Sequence, residues 1–261
     1  MIRNLFNFIL FCFYFNAYAN ENITIARSEI DYIPNEYHEN GKLTGFHIEL
    51  INTVCKNLDW NCNFENYPWG RAQEQVKKGK CDAISYISIN DERESYAYFD
   101  KNSILSETTY AFFITKNKLE KFRFSGDIPK LAKKYNSLGL IKNYHYKDEI
   151  IKAPFQFEWS ANEEASAIKL VNGRMNLFFG EVTSFHQNLK RLGYSKDIIQ
   201  LKPEIYKIPV YLAFAKKLDF SKADQEKALL KSQAFAKGMQ MFKRTEQYQI
   251  LLNKYSNIFA N

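Results

Sequence analysis

The chain has 261 residues, of which 46% are apolar and 25% are charged, a composition typical of a globular protein with a sizeable core. Its formal net charge of +7 comes from basic residues spread along the chain and not from one basic stripe, which argues against a nucleic-acid partner. The length fits one large domain or two lobes of roughly 100 residues each.

The first nineteen residues have the pattern of a cleaved export signal. Arg3 provides a short positive region, LFNFILFCFYF an apolar region, and AYA a small-residue cleavage site. The apolar run is shorter than the ~20 residues that a membrane-spanning helix needs. We therefore expect residues 1–19 to be removed after Ala19 and the rest of the chain to be an exported, soluble protein.

In chain order, the predicted strands alternate with helices. ITIAR predicts a first strand, NGKLTG a short hairpin or loop, and FHIELINTVCKNL a helix with one apolar face. CNFENYPW predicts the next strand, and the helix GRAQEQVKKG begins after Pro68 and ends at Gly79, before the buried strand CDAISYI. This alternation predicts an α/β fold with a parallel sheet.

Three cysteines follow the expected signal: Cys55, Cys62 and Cys81. An exported protein meets an oxidising compartment, and CKNLDWNC brings Cys55 and Cys62 close enough to form a disulfide. The bond would link the end of a helix to the start of the next strand and contribute roughly 2–4 kcal/mol. Cys81 is then left over, and its surroundings favour a buried thiol at a strand start over a nucleophile.

A weak internal repeat indicates two similar lobes. VKKGKCDAISYIS and LVNGRMNLFFGEV both run from a helix end through a glycine and a basic residue to an Asp or Asn and an apolar strand. Their glycines, Gly79 and Gly173, lie 94 residues apart, about the length of one lobe. Helix–Gly–strand joints are common, so a chance match is the alternative.

Polar side chains follow both repeated strands. Ser85, Tyr86 and Ser88 lie at the end of the first strand with Arg93 after them, and Glu181 lies at the end of the second. In open α/β sheets, ligands bind beyond the carboxyl ends of strands. One lobe would thus offer hydroxyls and a cation and the other an anion, which suits a small zwitterion held between them.

These motifs resemble a known family. In their order, GKLTGFHIEL, GKCDAISYISINDER, LGLIKNYHYKDE and NGRMNLFFGE are similar to motifs of the family 3 extracellular solute-binding proteins, which bind polar amino acids for ABC transporters in the bacterial periplasm. The resemblance covers roughly residues 23–255. It implies the type II periplasmic binding protein fold, with lobe 1 at residues 20–107 plus 209–261, lobe 2 at residues 108–208, and two crossover strands at a hinge cleft.

The resemblance also implies how the ligand is held. Arg93 matches the family's carboxylate-binding arginine, Ser88 would assist it, and Glu181 matches the acid that takes the ligand's α-ammonium. A guanidinium can bind a carboxylate through two parallel hydrogen bonds, and Asn90 is a suitable N-cap for the helix that carries Arg93. The spacing of CKNLDWNC also resembles a disulfide found in the family's binders of basic amino acids.

Five further residues match pocket positions of the family. Tyr32 and Trp69 would pack on the ligand's side chain, and Ile141 and His145 match a contact segment of the second lobe. Tyr86 stands where a small residue is expected, so that it either narrows the pocket or turns away from it.

Four more positions depart from the family pattern. His47 and Glu49 stand where the family's GFDxD motif has Asp, Asn143 stands in place of a Gly, and Glu181 is one methylene longer than the usual Asp. These departures concern the identity of the ligand more than the fold.

Each of these residues also has a plain structural interpretation. Arg93 could be a surface charge paired with Glu92 or Glu94, which would contribute little to stability. Glu181 could be a strand-end surface acid, Trp69 could belong to the core, and no role is assigned to Arg71.

The function predicted from the sequence is that of a monomeric periplasmic protein that captures a small zwitterion, a polar amino acid, for an inner-membrane ABC permease. Hydrolase activity and a metal site are not implied, because neither G-x-S-x-G nor H-E-x-x-H occurs and the four histidines have no metal-ligand spacing. We expect no catalysis, no cofactor and no nucleic-acid partner. Two alternatives stay open: a cyclohexadienyl dehydratase-like enzyme on the same fold, with Glu181 or His145 as general acid, and a sensor without a transporter.

Overall fold

The structure is a computed structural model that describes residues 21–119 and 123–259. The expected export signal and its cleavage site lie outside the described residues. In the described part of the chain, no helix is both long enough and apolar enough to cross a membrane.

The described residues form twelve β-strands and nine α-helices. The strands are β1 (Glu21–Ser28), β2 (Tyr37–Glu39), β3 (Lys42–Thr44), β4 (Trp60–Tyr67), β5 (Ala83–Ile87), β6 (Ala97–Tyr98), β7 (Ile104–Thr115), β8 (Ser137–Ile141), β9 (Gln156–Ser160), β10 (Leu177–Glu181), β11 (Ile198–Gln200) and β12 (Tyr206–Ala215). The helices are α1 (Phe46–Asn57), α2 (Trp69–Lys77), α3 (Asp91–Tyr96), α4 (Ile128–Tyr135), α5 (Asp148–Ile151), α6 (Glu163–Val171), α7 (Val182–Leu192), α8 (Lys222–Phe242) and α9 (Glu246–Phe259).

The main sheet has two parallel halves joined by two long antiparallel strands. Its order is β4-β1-β5-β12-β7-β10-β8-β9, with β6 beside β12 and β11 beside β7. β1 is parallel to β4 and β5, and β8 is parallel to β9 and β10. β7 and β12 pair with each other and connect these halves. The fold is therefore the two-lobed α/β fold that the sequence predicts, with β4, β1 and β5 in the first lobe and β10, β8 and β9 in the second.

The expected lobe boundaries fall where the two crossover strands pair. Glu107 pairs with Pro209, and Thr108 pairs with Ile208. Both strands thus pass these boundaries at the same level of the sheet. We propose these two register pairs as the division between the lobes.

The internal repeat extends over a whole helix and strand. α2 and α6 are offset by 94 residues at both ends, and so are β5 and β10. Both helices end in the same way, because the N–H of Gly79 donates to the carbonyl of Val76 and that of Gly173 to the carbonyl of Leu170. Both glycines have a positive φ, 64° and 72°, as this helix end requires. Each lobe therefore contains the same helix–Gly–strand unit.

Apolar side chains cover both faces of each half of the sheet. In the second lobe, Phe112 packs on one face and Phe113 on the other. In the first lobe, Ile25 and the neighbouring Ala26 divide in the same way. Successive strand residues point to opposite faces, so each lobe has three layers, with the strand ends left free to carry the polar residues of a site.

The short hairpin that the sequence predicts is formed by β2 and β3. Asn40 and Gly41 connect the strands with φ angles of 51° and 75°. An Asn-Gly pair favours such two-residue turns because both residues tolerate a positive φ. Directly after the hairpin, α1 places the side chains of Ile48, Ile51 and Val54 in the core, as its periodicity predicts.

The predicted disulfide is present and joins Cys55, in the last turn of α1, to Cys62 in β4. Cys81 lies just before β5, is buried and takes part in no disulfide, as expected. Burial and the nearby Glu65 carboxylate raise the pKa of its thiol to about 11. A thiol with a raised pKa forms little of the reactive thiolate.

We expect the disulfide to stabilise the first lobe. Replacing Cys55 and Cys62 together by Ser should lower the free energy of unfolding by about 2 kcal/mol, because the loop it closes is short. Denaturant unfolding measures this difference. Reductant should destabilise the native protein and the Cys81→Ala control but leave the double variant unchanged; a double variant as stable as the native protein would contradict this account.

Candidate functional site

A pocket lies in the cleft between the lobes, against the two crossover strands. The residues that line it come from the first lobe (Ser28, Tyr32, Trp69, Tyr86, Ser88, Arg93), the second lobe (Tyr144, His145, Glu163, Glu181) and the crossover strands (Thr108, Tyr110, Ile208, Val210). Of the residues predicted to contact a ligand, the structure thus brings together all but Ile141.

Arg93 is held rigidly on the first-lobe side of the pocket. The side chain of Asn90 caps α3 by accepting a hydrogen bond from the backbone N–H of Arg93 at 2.8 Å. The guanidinium donates from Nη1 to the carbonyl and the hydroxyl of Ser88, both at 2.8 Å, and from Nε to Gln73 at 3.2 Å. Only 4% of Arg93 is exposed. Arg93 is therefore a buried, oriented cation at the end of β5 and not a solvated helix charge.

Trp69, the first residue of α2, lies beside Arg93 and contacts the second lobe. Its ring is 5.8 Å from the centre of the guanidinium, within the range of a cation–π interaction. Its Nε1 donates to the carbonyl of Asn143 at 3.1 Å. Asn143 has a φ of 64°, a conformation that Asn tolerates better than other non-glycine residues. Asn143 is therefore compatible with a position where the resemblance implies a Gly.

The hydroxyl groups of Tyr32 and Tyr144 form a second contact between the lobes. Tyr32 follows β1, and Tyr144 follows β8, so each hydroxyl lies beyond the carboxyl end of a parallel strand. Both side chains line the pocket. The two lobes therefore touch each other directly around the site.

Tyr86 points into the pocket and narrows it. Its ring lies edge-on to Tyr32 with 5.3 Å between the ring centres, and its hydroxyl accepts a hydrogen bond from Asn35 at 3.1 Å. Tyr86 has a φ of 57°, in the left-handed region that is uncommon for residues other than glycine. This backbone turn at the end of β5 sets the direction of its side chain.

A buried polar network supports Tyr86 from behind. The ring of His47 lies 4.9 Å from that of Tyr86, and its Nε2 is 2.8 Å from the hydroxyl of Ser106 on β7. On its other side, His47 is 3.6 Å from Glu36, which pairs with Arg27 at 3.2 Å. Burial lowers the pKa of His47, whereas Glu36 opposes that shift. His47, at a position where the resemblance implies an Asp, thus lies beside the buried ion pair of Arg27 and Glu36.

Two carboxylates lie in the second-lobe wall of the pocket. Glu181 ends β10 and caps α7, accepting the backbone N–H groups of Thr183 at 3.1 Å and Ser184 at 2.8 Å. Glu163 begins α6 and accepts hydrogen bonds from the Ser184 hydroxyl and the Asn188 amide, both at 2.6 Å. Ser184 therefore contacts both carboxylates and holds them side by side.

Burial makes both carboxylates hold protons more tightly. It raises the pKa of Glu163 to about 8, with a further contribution from the charge of Glu181. It raises the pKa of Glu181 to about 7, although the N–H groups of Thr183 and Ser184 oppose the shift. This pair therefore takes up or releases protons near neutral pH.

Among the described residues, no group of three His, Cys, Asp or Glu side chains is placed to hold a metal ion.

Of Ile141, His145 and Arg71, His145 alone lines the pocket. Ile141 is 1% exposed, packs in a core cluster and donates its backbone N–H to the hydroxyl of Tyr146 at 2.8 Å, so neither its side chain nor this N–H faces the pocket. His145 lines the pocket, and burial and the nearby Arg93 lower its pKa. Arg71 lies over the ring of Tyr67 at 5.8 Å and does not line the pocket.

Glu163 is a pocket residue that is absent from the residues predicted from the sequence, although the repeat contains a signal for it. Trp69 and Glu163 are the first residues of α2 and α6, which occupy equivalent positions of the repeated unit. Because Trp69 was predicted to face the cleft, the same position of the second lobe should also face it. The pocket residues of β7 and β12 lacked a comparable signal, since they are mostly apolar or hydroxyl side chains within long strands.

A known protein family matches most of the chain. The family model described as bacterial extracellular solute-binding proteins, family 3, matches residues 24–258. The arginine-binding periplasmic protein of Mannheimia haemolytica is 25% identical over 147 residues, which cover 55% of this chain and 56% of that protein. The match thus spans about half the length of this curated relative.

Solved structures share the fold over most of the chain. A histidine kinase sensor domain with similarity to periplasmic binding proteins superposes with a TM-score of 0.74 at 15% identity, covering 90% of this chain and 96% of that one. An ancestral arginine-binding protein bound to arginine gives a TM-score of 0.70 at 18% identity, covering 90% and 98%. At such identities the likeness concerns the fold alone.

We predict that the two carboxylates make the ligand-free protein less stable as the pH rises. A group whose pKa is raised on folding stabilises the protein below its unfolded pKa, and this contribution is lost as the pH passes its folded pKa. For Glu163, the loss falls between the ordinary 4.5 and about 8. Between pH 5 and 8.5, the native protein should lose on the order of 4 kcal/mol more unfolding free energy than a Glu163→Gln variant.

Denaturant unfolding at both pH values, after the protein has been freed of ligand by unfolding and refolding, tests this prediction. The comparison uses the difference between the two proteins, because His47 and other groups titrate in both. Equal pH dependence of the two proteins would contradict the raised pKa of Glu163.

Proposed function

We propose that this chain, which belongs to the bacterial extracellular solute-binding proteins, family 3, captures a polar α-amino acid in the periplasm. The protein then delivers the amino acid to an inner-membrane ABC permease. One observation carries the proposal. Arg93 of the first lobe and Glu181 of the second line the same pocket. An α-amino acid carries one carboxylate and one ammonium, and these would pair with the two side chains.

The contacts of Arg93 leave part of its guanidinium available for a ligand. Nη1 and Nε are engaged by Ser88 and Gln73, whereas Nη2 has a longer contact of 3.5 Å with the carbonyl of Asn143. The hydroxyl of Ser88 accepts a hydrogen bond from Arg93, so its own proton can be donated elsewhere. A carboxylate placed here would receive hydrogen bonds from a charged and a neutral donor.

Glu181 can accept from an ammonium while it caps α7. Each of its carboxylate oxygens accepts one backbone N–H, from Thr183 and Ser184. A carboxylate offers about four acceptor sites, so both oxygens can take a further hydrogen bond. An ammonium beside it would favour the ionised form and offset the effect of burial on its pKa.

The aromatic side chains around these charges would enclose the rest of the ligand. Tyr32 and Trp69 stand on the first-lobe side, and Tyr144 faces them from the second lobe. Such rings exclude water and strengthen the charge pairs. A ligand that contacts both lobes shifts the balance toward closure, which is the state a permease can distinguish from the open one. The similarity to a protein named for arginine binding supports an amino-acid ligand.

We expect Arg93→Lys to weaken amino-acid binding by about 2 kcal/mol, which corresponds to roughly 30-fold in Kd. Lysine keeps the charge but lacks the planar group of nitrogens with which Arg93 binds Ser88 and Gln73 while Nη2 is left for a ligand. Mass spectrometry of ligand released from the purified protein identifies the amino acid to use, and calorimetry measures its affinity. Arg71→Lys, on neighbouring α2 and outside the pocket, is the matched control and should bind normally.

Failure of all standard amino acids to bind would overturn the proposal. Turnover of prephenate or arogenate without stable binding of amino acids would favour an enzyme instead. For delivery, adding the native protein to spheroplasts of the parent bacterium should stimulate uptake of the radiolabelled ligand, and the Arg93→Lys variant should not. Tight binding without stimulated uptake would favour a sensor.

A further inference from the structure

Glu163 is a buried acid of the pocket that the proposed zwitterion leaves without a partner. It is 2% exposed and lines the pocket. Its Oε2 accepts hydrogen bonds from Ser184 and Asn188, whereas its Oε1 is buried and has no hydrogen-bond partner. A buried carboxylate oxygen without a partner is unfavourable. Its position in the pocket wall means that a bound molecule could supply the missing donor.

The balance of charges in the pocket also indicates that Glu163 lacks a partner. Among its lining residues, Glu163 and Glu181 are acids, Arg93 is a permanent cation, and His145 has a pKa lowered by burial and by Arg93. A bound amino acid would pair its carboxylate with Arg93 and its α-ammonium with Glu181. Glu163 would then face the ligand's side chain as a buried acid that stays protonated unless a positive charge reaches it.

We propose that Glu163 is a specificity-determining residue that binds a second cation, the ammonium or guanidinium of a basic amino acid's side chain. This inference rests on the proposed function, since it assumes an α-amino acid held by Arg93 and Glu181. A ligand with one negative and two positive groups would match one arginine and two glutamates group by group. It would also give Glu163 Oε1 its hydrogen bond.

The surroundings of Glu163 suit a cation. The hydroxyls of Tyr32 and Tyr144 lie close enough for the charge of Glu163 to raise the pKa of both. The faces of these rings and of Trp69 attract cations as well as apolar groups. The methylene chain of lysine or arginine could therefore pass between aromatic rings before its charged end reaches the carboxylate.

Glu163 is also held in a fixed orientation, as a specificity residue must be. Both donors to its Oε2 come from α7, and the same Ser184 positions Glu181. The next residue, Glu164, points away from the pocket and pairs with Arg191 at 2.6 Å on the surface. Glu164 therefore offers a matched control, one position along the same helix.

The test compares basic ligands with uncharged counterparts of similar shape. Calorimetry would measure the affinities of arginine and its neutral isostere citrulline, and of lysine and norleucine, for the native protein and for Glu163→Gln and Glu164→Gln. We expect at least one basic ligand to bind the native protein about tenfold or more tightly than its neutral counterpart. This ratio should fall by about tenfold in Glu163→Gln and stay unchanged in Glu164→Gln.

A second readout separates ligand binding from a structural role of Glu163. A cationic side chain would make Glu163 release its proton, so binding of the basic ligand to the native protein near pH 7 should release protons, seen as a binding enthalpy that depends on the buffer. Other titratable or charged groups face Glu163 and are present in both proteins: Glu181, Tyr32, Tyr86, Tyr110, Tyr144 and Tyr146, with Arg93 and His145 elsewhere in the pocket. Glu163→Gln should therefore release fewer protons.

The possible outcomes distinguish this inference from the proposed function. If basic and neutral amino acids bind equally well and their binding depends on Arg93, the role of Glu163 is overturned and the proposed function stays intact. An equal loss of affinity for basic and neutral ligands in Glu163→Gln, with unchanged proton release, would also overturn it. Absence of binding to any amino acid would overturn both.

Discussion

The antiparallel pairing of β7 with β12 is the interaction on which the rest of the site depends. These two strands cross between the lobes and contribute Thr108, Tyr110, Ile208 and Val210 to the pocket. Thr108 pairs with Ile208, and Tyr110 pairs with Tyr206, so the floor of the cleft is a hydrogen-bonded ladder. Because each lobe adds its parallel strands beside this ladder, the carboxyl ends of β1 and β5 face those of β8 and β10. The site follows from this topology before any particular polar residue is considered.

Burial in this cleft decides the electrostatic character of the site. Arg93 stays charged because of its intrinsic basicity and because every nitrogen of its guanidinium has an acceptor within 3.5 Å. Glu163 and Glu181 respond to the same burial by binding protons, since the ionised form of a carboxylate is poorly solvated there. The charge of the second-lobe wall therefore depends on what occupies the cleft, whereas the charge of the first-lobe wall is fixed.

Much of this architecture can be read from the sequence, and the exceptions have physical causes. The helix–Gly–strand repeat predicts equivalent units because glycine at a helix end and apolar runs are local signals, and the structure extends the offset of 94 residues to whole elements. Arg93 follows the buried strand β5 and Glu181 ends the buried strand β10, so both are recognisable. Ile141 matches a pocket position by its place in the chain, but a local hydrogen bond to Tyr146 turns its N–H away. Glu163 looks like an ordinary acid in the first turn of a helix, and only the packing of α6 against α7 and the cleft buries it.

The contacts between the lobes connect binding to closure in the proposed function. Tyr32 meets Tyr144, and Trp69 and, at 3.5 Å, Arg93 meet the carbonyl of Asn143, so the contacts between the lobes are mainly hydrogen bonds between uncharged groups. Such bonds each contribute modestly, because the same groups can bond to water when the lobes separate. Charge pairs with a ligand contribute a larger difference in free energy between the open and the closed state, but only if the ligand spans the cleft. A ligand with equal affinity for both states leaves their populations unchanged. The separation of Arg93 and Glu181 onto opposite lobes therefore allows a zwitterion to close the cleft, whereas a simple anion or a simple cation would engage one lobe alone.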